Sequence, residues 1–343
     1  MLPSCTKQGE LTISAGFARA LFELAVAKGA SPGALALRSG LDPAGLGDQD
    51  GRIRFDAYVA LMGAAKALTG DAALALHFGE AVDMADVSIL GLLPQSYETP
   101  AEGLAALNRY SRLAIEVDAG GADRFDIAWR GGKPFLVDRR PDPDDFPELT
   151  ESMFARMVCG GRRHGVDLVR EVHVSHRAPA YASEYDRIFQ VPILFESGWN
   201  ALQLDVAALS MRVDPQPPYV RALLNERAEA LLKALEDSKT MRGRVESLLV
   251  PILPGGGATI RAVAAELGIS RQTLYRRLKL EGVTFEQVLD GLRHQLALRY
   301  LKGGDVSIEE AAYRVGFADR AAFSHAFKRW TGTSPKGRGE PAR

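Results

Sequence analysis

Cysteine is scarce. There are two in 343 residues, Cys5 and Cys159, and neither sits in a C-x-x-C or Cys/His spacing. That leaves no disulfide framework, zinc finger or dithiol redox motif to read, and a reducing compartment is expected. No apolar run approaches the roughly 18 residues a membrane helix needs. The first ten residues are polar and hold no apolar core, so no signal peptide is expected. The expected location is the cytoplasm, with no membrane partner. The six histidines make no ligand set. His77 and Glu80 are three apart on an expected helix with no third ligand. His173 and His176 are three apart on an expected strand and so face opposite sides. Gly131-Gly132-Lys133 lacks the spacing of a phosphate-binding loop, and Gly160-Gly161 has no G-x-S-x-G context. No nucleophile can be paired with a base. Neither a metal, a cofactor nor an enzymatic activity is expected, and an enzyme in the N-terminal region stays open only as an alternative.

What is present is an uneven charge. The net charge is −1 overall. From Gly255 to Arg343 there are 15 Lys+Arg and 9 Asp+Glu, which makes that segment +6 and the rest −7. A basic end on an acidic body points to a polyanionic partner. The length suggests two domains.

Hydrophobic period divides the chain. Ile13, Phe17, Leu21, Leu24 and Lys28 form one helical stripe, and Phe55, Val59, Met62, Ala65 and Leu68 another. Ala72–Glu80 reads as a short helix, and Pro100 opens a helix through Leu113. Then the period changes. Phe125, Ile127 and Trp129 alternate, Pro134–Asp138 is a short apolar run, and Val172, Val174 and His176 alternate against Glu171, His173 and Ser175. A helix is expected over Asp145–His164 and a short strand over Asn200–Leu204. Pro215, Pro217 and Pro218 interrupt the chain before a helix at Val220–Glu236. A further helix is expected over Lys239–Val250. Pro251, Pro254 and Gly255-Gly256-Gly257 make the clearest break. The expected organisation is an α+β N-terminal domain over 11–212, mostly helical with a small sheet; a linker helix over 213–237; and an all-α C-terminal domain over 238–336.

The C-terminal domain carries a duplicated pattern. In Thr259–Lys279, Ile260, Val263, Ala264 and Leu267 form an apolar face, Gly268 ends the helix, Ile269 anchors the turn, and Ser270 can cap a second helix. Leu274 and Leu278 point inward, leaving Arg271, Gln272, Tyr275, Arg276 and Lys279 outside. In Ser307–Arg329, Ile308, Ala311, Ala312 and Val315 repeat the face, Gly316 the turn and Phe317 the anchor, each 48 residues on. After the turn the offset becomes 49, so that Leu274 matches Phe323 and Leu278 matches Phe327. Each segment holds the parts of a helix-turn-helix, and the two units span 259–280 and 307–330. Between them Thr284–Lys302 is one continuous helix, stopped by Gly303-Gly304. Its length of about 28 Å suits two reading helices in major grooves one turn apart, about 34 Å.

These residues resemble the AraC/XylS family of bacterial transcription regulators. The resemblance runs from about residue 244 to 335. It rests on Ile308-Glu309-Glu310-Ala311-Ala312, Val315-Gly316-Phe317, Phe323-Ser324-His325-Ala326-Phe327-Lys328-Arg329 and Thr331-Gly332-Thr333-Ser334-Pro335. Residues 15–209 are similar to the arabinose-binding-type sensor domain of a subgroup that includes ornithine-responsive regulators. That match rests on Asn108-Arg109-Tyr110, Phe189-Gln190-Val191-Pro192 and Asn200-Ala201-Leu202. The resemblance implies effector-modulated transcription control, often activation. The implied partners are double-stranded promoter DNA, RNA polymerase, a small-molecule effector and a second copy of the chain. It puts base-facing positions at Gln272, Tyr275 and Arg276 in the first unit and at Arg320, Ala321, Ser324 and His325 in the second. Lys328 and Arg329 join Arg271 and Lys279 as candidate DNA contacts. Ala321 and His325 depart from the polar readers common in the family, and Lys336-Gly337-Arg338 replaces its usual closing aromatic. The alternatives are a constitutive repressor or an architectural protein whose N-terminal domain only dimerises. Tyr110, Arg112, Trp129, His173 and Trp199 are candidates for lining an effector pocket.

Overall fold

The computed structural model describes residues 11–117, 123–302 and 306–335. Cys5, the Gly303-Gly304 stop and Lys336-Gly337-Arg338 lie outside them. The chain divides into two compact units, Met1–Leu232 and Lys233–Arg343.

The first unit opens with β1 (Thr12–Ser14), α1 (Ala15–Ala27), α2 (Pro32–Ser39), β2 (Arg52–Arg54) and α3 (Phe55–Thr69). The stripe expected to be helical from Ile13 begins instead at Ala15. Thr12–Ser14 pairs antiparallel with β2, and Ser14 caps α1 by accepting from the Gly16 N–H. Next come α4 (Leu74–Ala81), α5 (Met84–Val87), α6 (Ile89–Leu92) and α7 (Pro100–Ala114). Thr99 and Glu102 form a reciprocal capping box at the start of α7.

The sheet follows. Its strands are β3 (Phe125–Arg130), β4 (Lys133–Asp138), β5 (Val169–His173), β6 (Ile193–Leu194) and β7 (Ala201–Leu204). α8 (Pro147–Arg163) and α9 (Ala182–Phe189) lie between them in the chain, and α10 (Val206–Ser210) closes the run. The spatial order is β3-β4-β7-β5-β6, antiparallel except for the β5–β6 pair. Leu136, Val172 and Leu202 share one face with Phe154, Val158, Tyr185 and Phe189 in a core between sheet and helices. A second core, around Phe17, Leu21, Tyr58, Leu61 and Phe78, joins α1, α3 and α4. α4 and α8 cross closely because Gly79 has no side chain: a methyl there would meet the Ala155 side chain at 2.7 Å.

Two strand expectations need correction. Phe125, Ile127 and Trp129 do share a face, but β3 is the sheet edge, and Ile127 and Trp129 stand 42% and 62% exposed. β5 ends at His173, so His176 is not part of the strand. It turns instead to the Tyr185 hydroxyl at 3.0 Å.

A helix α11 (Pro218–Lys239) contains the division between the units. The second unit continues with α12 (Met241–Ile252), α13 (Ile260–Glu266), α14 (Arg271–Leu280), α15 (Phe285–Lys302), α16 (Ile308–Arg314) and α17 (Arg320–Thr331). One core runs through all of them, from Val245, Leu249 and Leu253 through Leu274 and Val288 to Phe323 and Phe327. The Pro/Gly break therefore separates two helices inside one unit. Pro251 sits within the last turn of α12, and Leu253, immediately after it, is fully buried.

Candidate nucleic-acid interface and ligand cavity

Each helix-turn-helix is assembled by its caps. Gly268 takes φ +64° after α13, and Ser270 accepts from the Thr273 N–H at 3.1 Å to start α14. In the second unit Gly316 takes φ +79° after α16. The extra residue after this turn puts Asp319 at the cap, where it accepts from the Ala322 N–H at 2.8 Å. The one-residue slip in the repeat is thus a longer turn with a different cap, and beyond it the helices realign.

Burial of Leu274 and Leu278 sets the face that α14 presents. Arg271, Gln272, Tyr275, Arg276 and Lys279 are all exposed. Phe323, Ala326 and Phe327 do the same for α17, leaving Arg320, Ala321, His325 and Lys328 exposed and Ser324 half-buried. The two sets have the same spacing along their helices, 49 residues apart. Among the described residues, none of these side chains hydrogen-bonds or ion-pairs within the protein. Arg329 differs, because its guanidinium is drawn to Asp290 of α15 at 2.6 Å. The Trp330 indole N–H donates to the other oxygen of the same carboxylate at 2.8 Å.

Several fastening residues gave no sequence signal. Arg293, on α15, donates to the carbonyls of Val315 at 3.1 Å and Gly316 at 3.0 Å, with its guanidinium over the Phe317 ring. Those carbonyls close α16 and have no helical partner of their own, so Arg293 clamps the second turn. Burial lowers its pKa from the ordinary arginine value. Glu281, just past α14, reaches back to accept the N–H groups of Met241 and Arg242 at 2.6 and 2.9 Å, capping α12.

The first unit contains a cavity of about 600 Å³. α7 lines it with Leu104, Leu107, Asn108 and Ser111; α8 lines it with Met153, Arg156, Met157, Gly160 and Gly161. Both sets follow the i, i+3, i+4, i+7 spacing of one helix face. Phe17, Phe125 and Leu136 extend the apolar wall. The volume is in the range of small-molecule sites. None of Tyr110, Arg112, Trp129, His173 and Trp199 lines it, which corrects the expected pocket. Tyr110 instead donates to Glu229 of α11 at 2.7 Å, and burial together with that carboxylate pushes its hydroxyl pKa up to about 12. Arg112 ion-pairs Glu116. His173 and Trp199 pack with Phe135 on the opposite face of the sheet, and Trp129 is at the edge.

Of the cavity's cations, two are neutralised. Arg124 ion-pairs Asp138 at 2.9 Å, both being buried, and Arg163 ion-pairs Asp83 at 3.5 Å. Burial opposes ionisation of Asp138, but Arg124 outweighs it and holds the carboxyl below its usual range. Arg156 has no carboxylate partner among the described residues. Its guanidinium lies over the rings of Phe17 and Phe78 at 4.9 and 5.4 Å, and its Nε has no hydrogen-bond partner. Burial lowers its pKa to about 10, so it stays charged at neutral pH.

The motifs of the N-terminal resemblance are fasteners. Asn108 bonds both backbone groups of Phe125, at 2.9 and 3.1 Å, tying α7 to β3. Arg109 and Tyr110 both hold Glu229. Gln190 ends α9 at φ +54°, and Asn200 accepts from the Ser175 N–H at 2.9 Å. His77 and Glu80 are not a pair: His77 binds Asp71 and Glu184, and Glu80 binds Arg187.

Comparison with known proteins agrees with this division. Residues 29–213 match the family model described as the arabinose-binding domain of AraC transcription regulator, and residues 263–337 match a helix-turn-helix domain. The ornithine utilization regulator of Pseudomonas aeruginosa is 28% identical over 94% of this chain and 95% of its own. The transcriptional regulator VirS of Mycobacterium tuberculosis is 23% identical over 82% of this chain and 84% of its own. Among solved structures, the regulator CdpR of Pseudomonas aeruginosa aligns with 82% of this chain and 91% of its own, at 24% identity and a TM-score of 0.39. With an arabinose-binding-type N-terminal region and a paired helix-turn-helix C-terminal unit, the chain belongs to the AraC family of DNA-binding transcription regulators.

Proposed function

We propose that this regulator reads promoter DNA with α14 and α17 and is switched, toward activation, by a small molecule held in its N-terminal unit. The observation that carries the reading is the pair of exposed helix faces with identical spacing and unengaged polar side chains, joined by the 18-residue α15. At 1.5 Å per residue α15 is about 27 Å long, which suits grooves one turn, about 34 Å, apart. Gln272, Tyr275 and Arg276 are assigned to base edges, with Arg271 and Lys279 on phosphates. In the second helix Arg320, Ser324 and His325 are assigned to bases, Ala321 to an apolar contact and Lys328 to phosphate. Arg329 is assigned to holding α17 against α15.

The N-terminal unit, over 11–212, is proposed to bind effector and to pair two copies of the chain. The edge strand β3, with exposed Ile127 and Trp129, supports pairing, since an unpaired strand edge is a template for another chain. RNA polymerase is the proposed recipient of the signal, and no chemical turnover is proposed. Residues 213–237 connect the effector domain to the DNA-binding domain of 238–336.

Hydroxyl-radical footprinting of the full chain on selected DNA fragments tests the reading. Two protections about 10 base pairs apart on one face of the duplex are expected per subunit. A single protected groove would remove α17 from base reading. Light scattering that finds only monomer, on and off DNA, would remove the pairing.

A further inference from the structure

The cavity reading names no ligand, but the cavity wall does. α8 crosses it with an apolar stripe, Met153, Met157, Gly160, Gly161, and Arg156 stands in the middle of that stripe. Arg156 is half-buried, its Nε enclosed without a partner, and a cation partly withdrawn from water with no carboxylate beside it is unfavourable because the lost hydration is not replaced. The rings of Phe17 and Phe78 recover only part of that. The neighbouring cations Arg124 and Arg163 already have Asp138 and Asp83, so their charges are spent. Asp214, the other carboxylate in the lining, is exposed. Among the described residues, Arg156 is therefore the lining arginine without a carboxylate partner, set in a mostly apolar wall. Polar groups that could orient a head group are nearby in the lining: Asn108, whose amide is taken by Phe125, and Ser111, whose hydroxyl has no partner among the described residues.

We propose that the cavity binds an amphiphilic monocarboxylate, its carboxylate on the Arg156 guanidinium and its apolar body along Leu104, Leu107, Met153 and Met157. This inference rests on the proposed role of the N-terminal unit as an effector site, and it deepens that role. At about 30 Å³ per water-sized group, the cavity admits a ligand of on the order of 15–20 non-hydrogen atoms. A planar guanidinium can hold a carboxylate with two parallel N–H bonds. Binding would satisfy the unmatched charge, so the ligand stabilises the folded unit by mass action.

Decanoate, decanol and decylamine, each below its aggregation concentration, separate the possibilities. Their binding to the full-length protein is followed by calorimetry and by thermal shift. Decanoate is expected to bind at least about tenfold more tightly than decanol, as suits a charge-assisted hydrogen bond, and decylamine not measurably. Arg156→Met removes the cation while keeping the stem. It removes a half-buried charge that has no carboxylate partner, so it is expected to fold at least as stably as the parent and to bind decanoate no better than decanol. Arg156→Lys keeps the charge and is expected to restore part of the preference. Leu107→Trp fills the apolar end and is expected to weaken decanoate and decanol alike.

Equal affinity for acid and alcohol, or a preference untouched by Arg156→Met, overturns the carboxylate assignment and leaves the cavity a ligand site of another class. No binding by any of the three probes overturns the carboxylate assignment and counts against the effector reading too. Tight decanoate binding that leaves the affinity for DNA unchanged supports the carboxylate site and sinks the switch.

Discussion

The two helix-turn-helix units carry the same helices at nearly the same spacing but hold their turns differently. Gly268 faces open space, and a methyl on it would meet no heavy atom within 4 Å. Gly316 is packed: a methyl there would meet the Leu253 carbonyl oxygen at 2.5 Å. Forty-eight residues before Arg293 stands Val245, fully buried. Where the first unit places a core side chain, the second places a cation that clamps its turn. The reading faces differ the other way. α14 exposes four cations, Arg271, Arg276, Arg277 and Lys279, beside Gln272 and Tyr275. α17 exposes Arg320, Lys328 and Arg329, the last tied to Asp290, beside the featureless Ala321. The first unit is richer in groups that can touch DNA, and the second is richer in contacts that fix its own shape.

The largest effect expected from this contrast is at the turns. Gly316→Ala forces an L-residue into a left-handed conformation, about 1–2 kcal/mol, and adds a backbone clash of about 1–3 kcal/mol. We expect a loss of about 3 kcal/mol in the denaturation transition of the C-terminal unit. Gly268→Ala meets no clash, so about 1 kcal/mol is expected. Equal losses would erase the structural half of the comparison. Next in size is Arg293→Leu. It leaves the Val315 and Gly316 carbonyls without donors, at about 2 kcal/mol, and should loosen α16 and α17 more than α13 and α14. Hydrogen exchange resolved by peptide would tell them apart.

Much of this unit is legible from the chain because its signals are local. Turn glycines, the Ser270 cap and the inward Leu274, Leu278, Phe323 and Phe327 follow from helical spacing alone. Arg293 is not legible, because a cation on a mid-length helix reads as solvated until its distant acceptors are known. The Pro251–Gly257 break lies inside the expected C-terminal domain of 238–336 and not at its edge. Composition marks where helices stop, whereas a unit boundary depends on which core they share, and Leu249, Leu253 and Val263 share one. The N-terminal cavity was missed more fully. In the sequence, aromatics and histidines point to Tyr110, His173 and Trp199, but on α7 it is Leu107, Asn108 and Ser111 that face inward. Tyr110, one or two positions away, turns to Glu229. Sequence periodicity finds an apolar face without saying whether it meets another side chain or an empty space.

The reading half of the comparison predicts smaller effects. Arg276→Ala is expected to lose about 1–3 kcal/mol of specific binding and relax base preference in one half of the site. Arg320→Ala is expected to lose less, since Ala321 beside it adds no polar contact to be misaligned. Competition titrations against single-base variants of the site measure both. A larger loss at Arg320 would reverse the assignment of the two helices.

The smallest effects lie at neighbouring cations with unlike surroundings. Lys328 is exposed and has no partner among the described residues, whereas Arg329 is tied to Asp290. If Lys328 neutralises one phosphate, Lys328→Ala should weaken binding to all sequences alike and reduce the slope of log K against log salt by about 1. Arg329→Ala should leave the slope unchanged. Its ion pair is largely exposed, so its loss should lower stability by only about 0.5 kcal/mol or less. Because the Trp330 indole holds the same carboxylate, α17 should keep its seat on α15 without Arg329. Salt titrations of the two variants on one non-specific duplex isolate the phosphate term from base reading. An equal fall in slope for both would mean that Arg329 leaves Asp290 when DNA arrives, and the second helix would then grip the backbone with two cations.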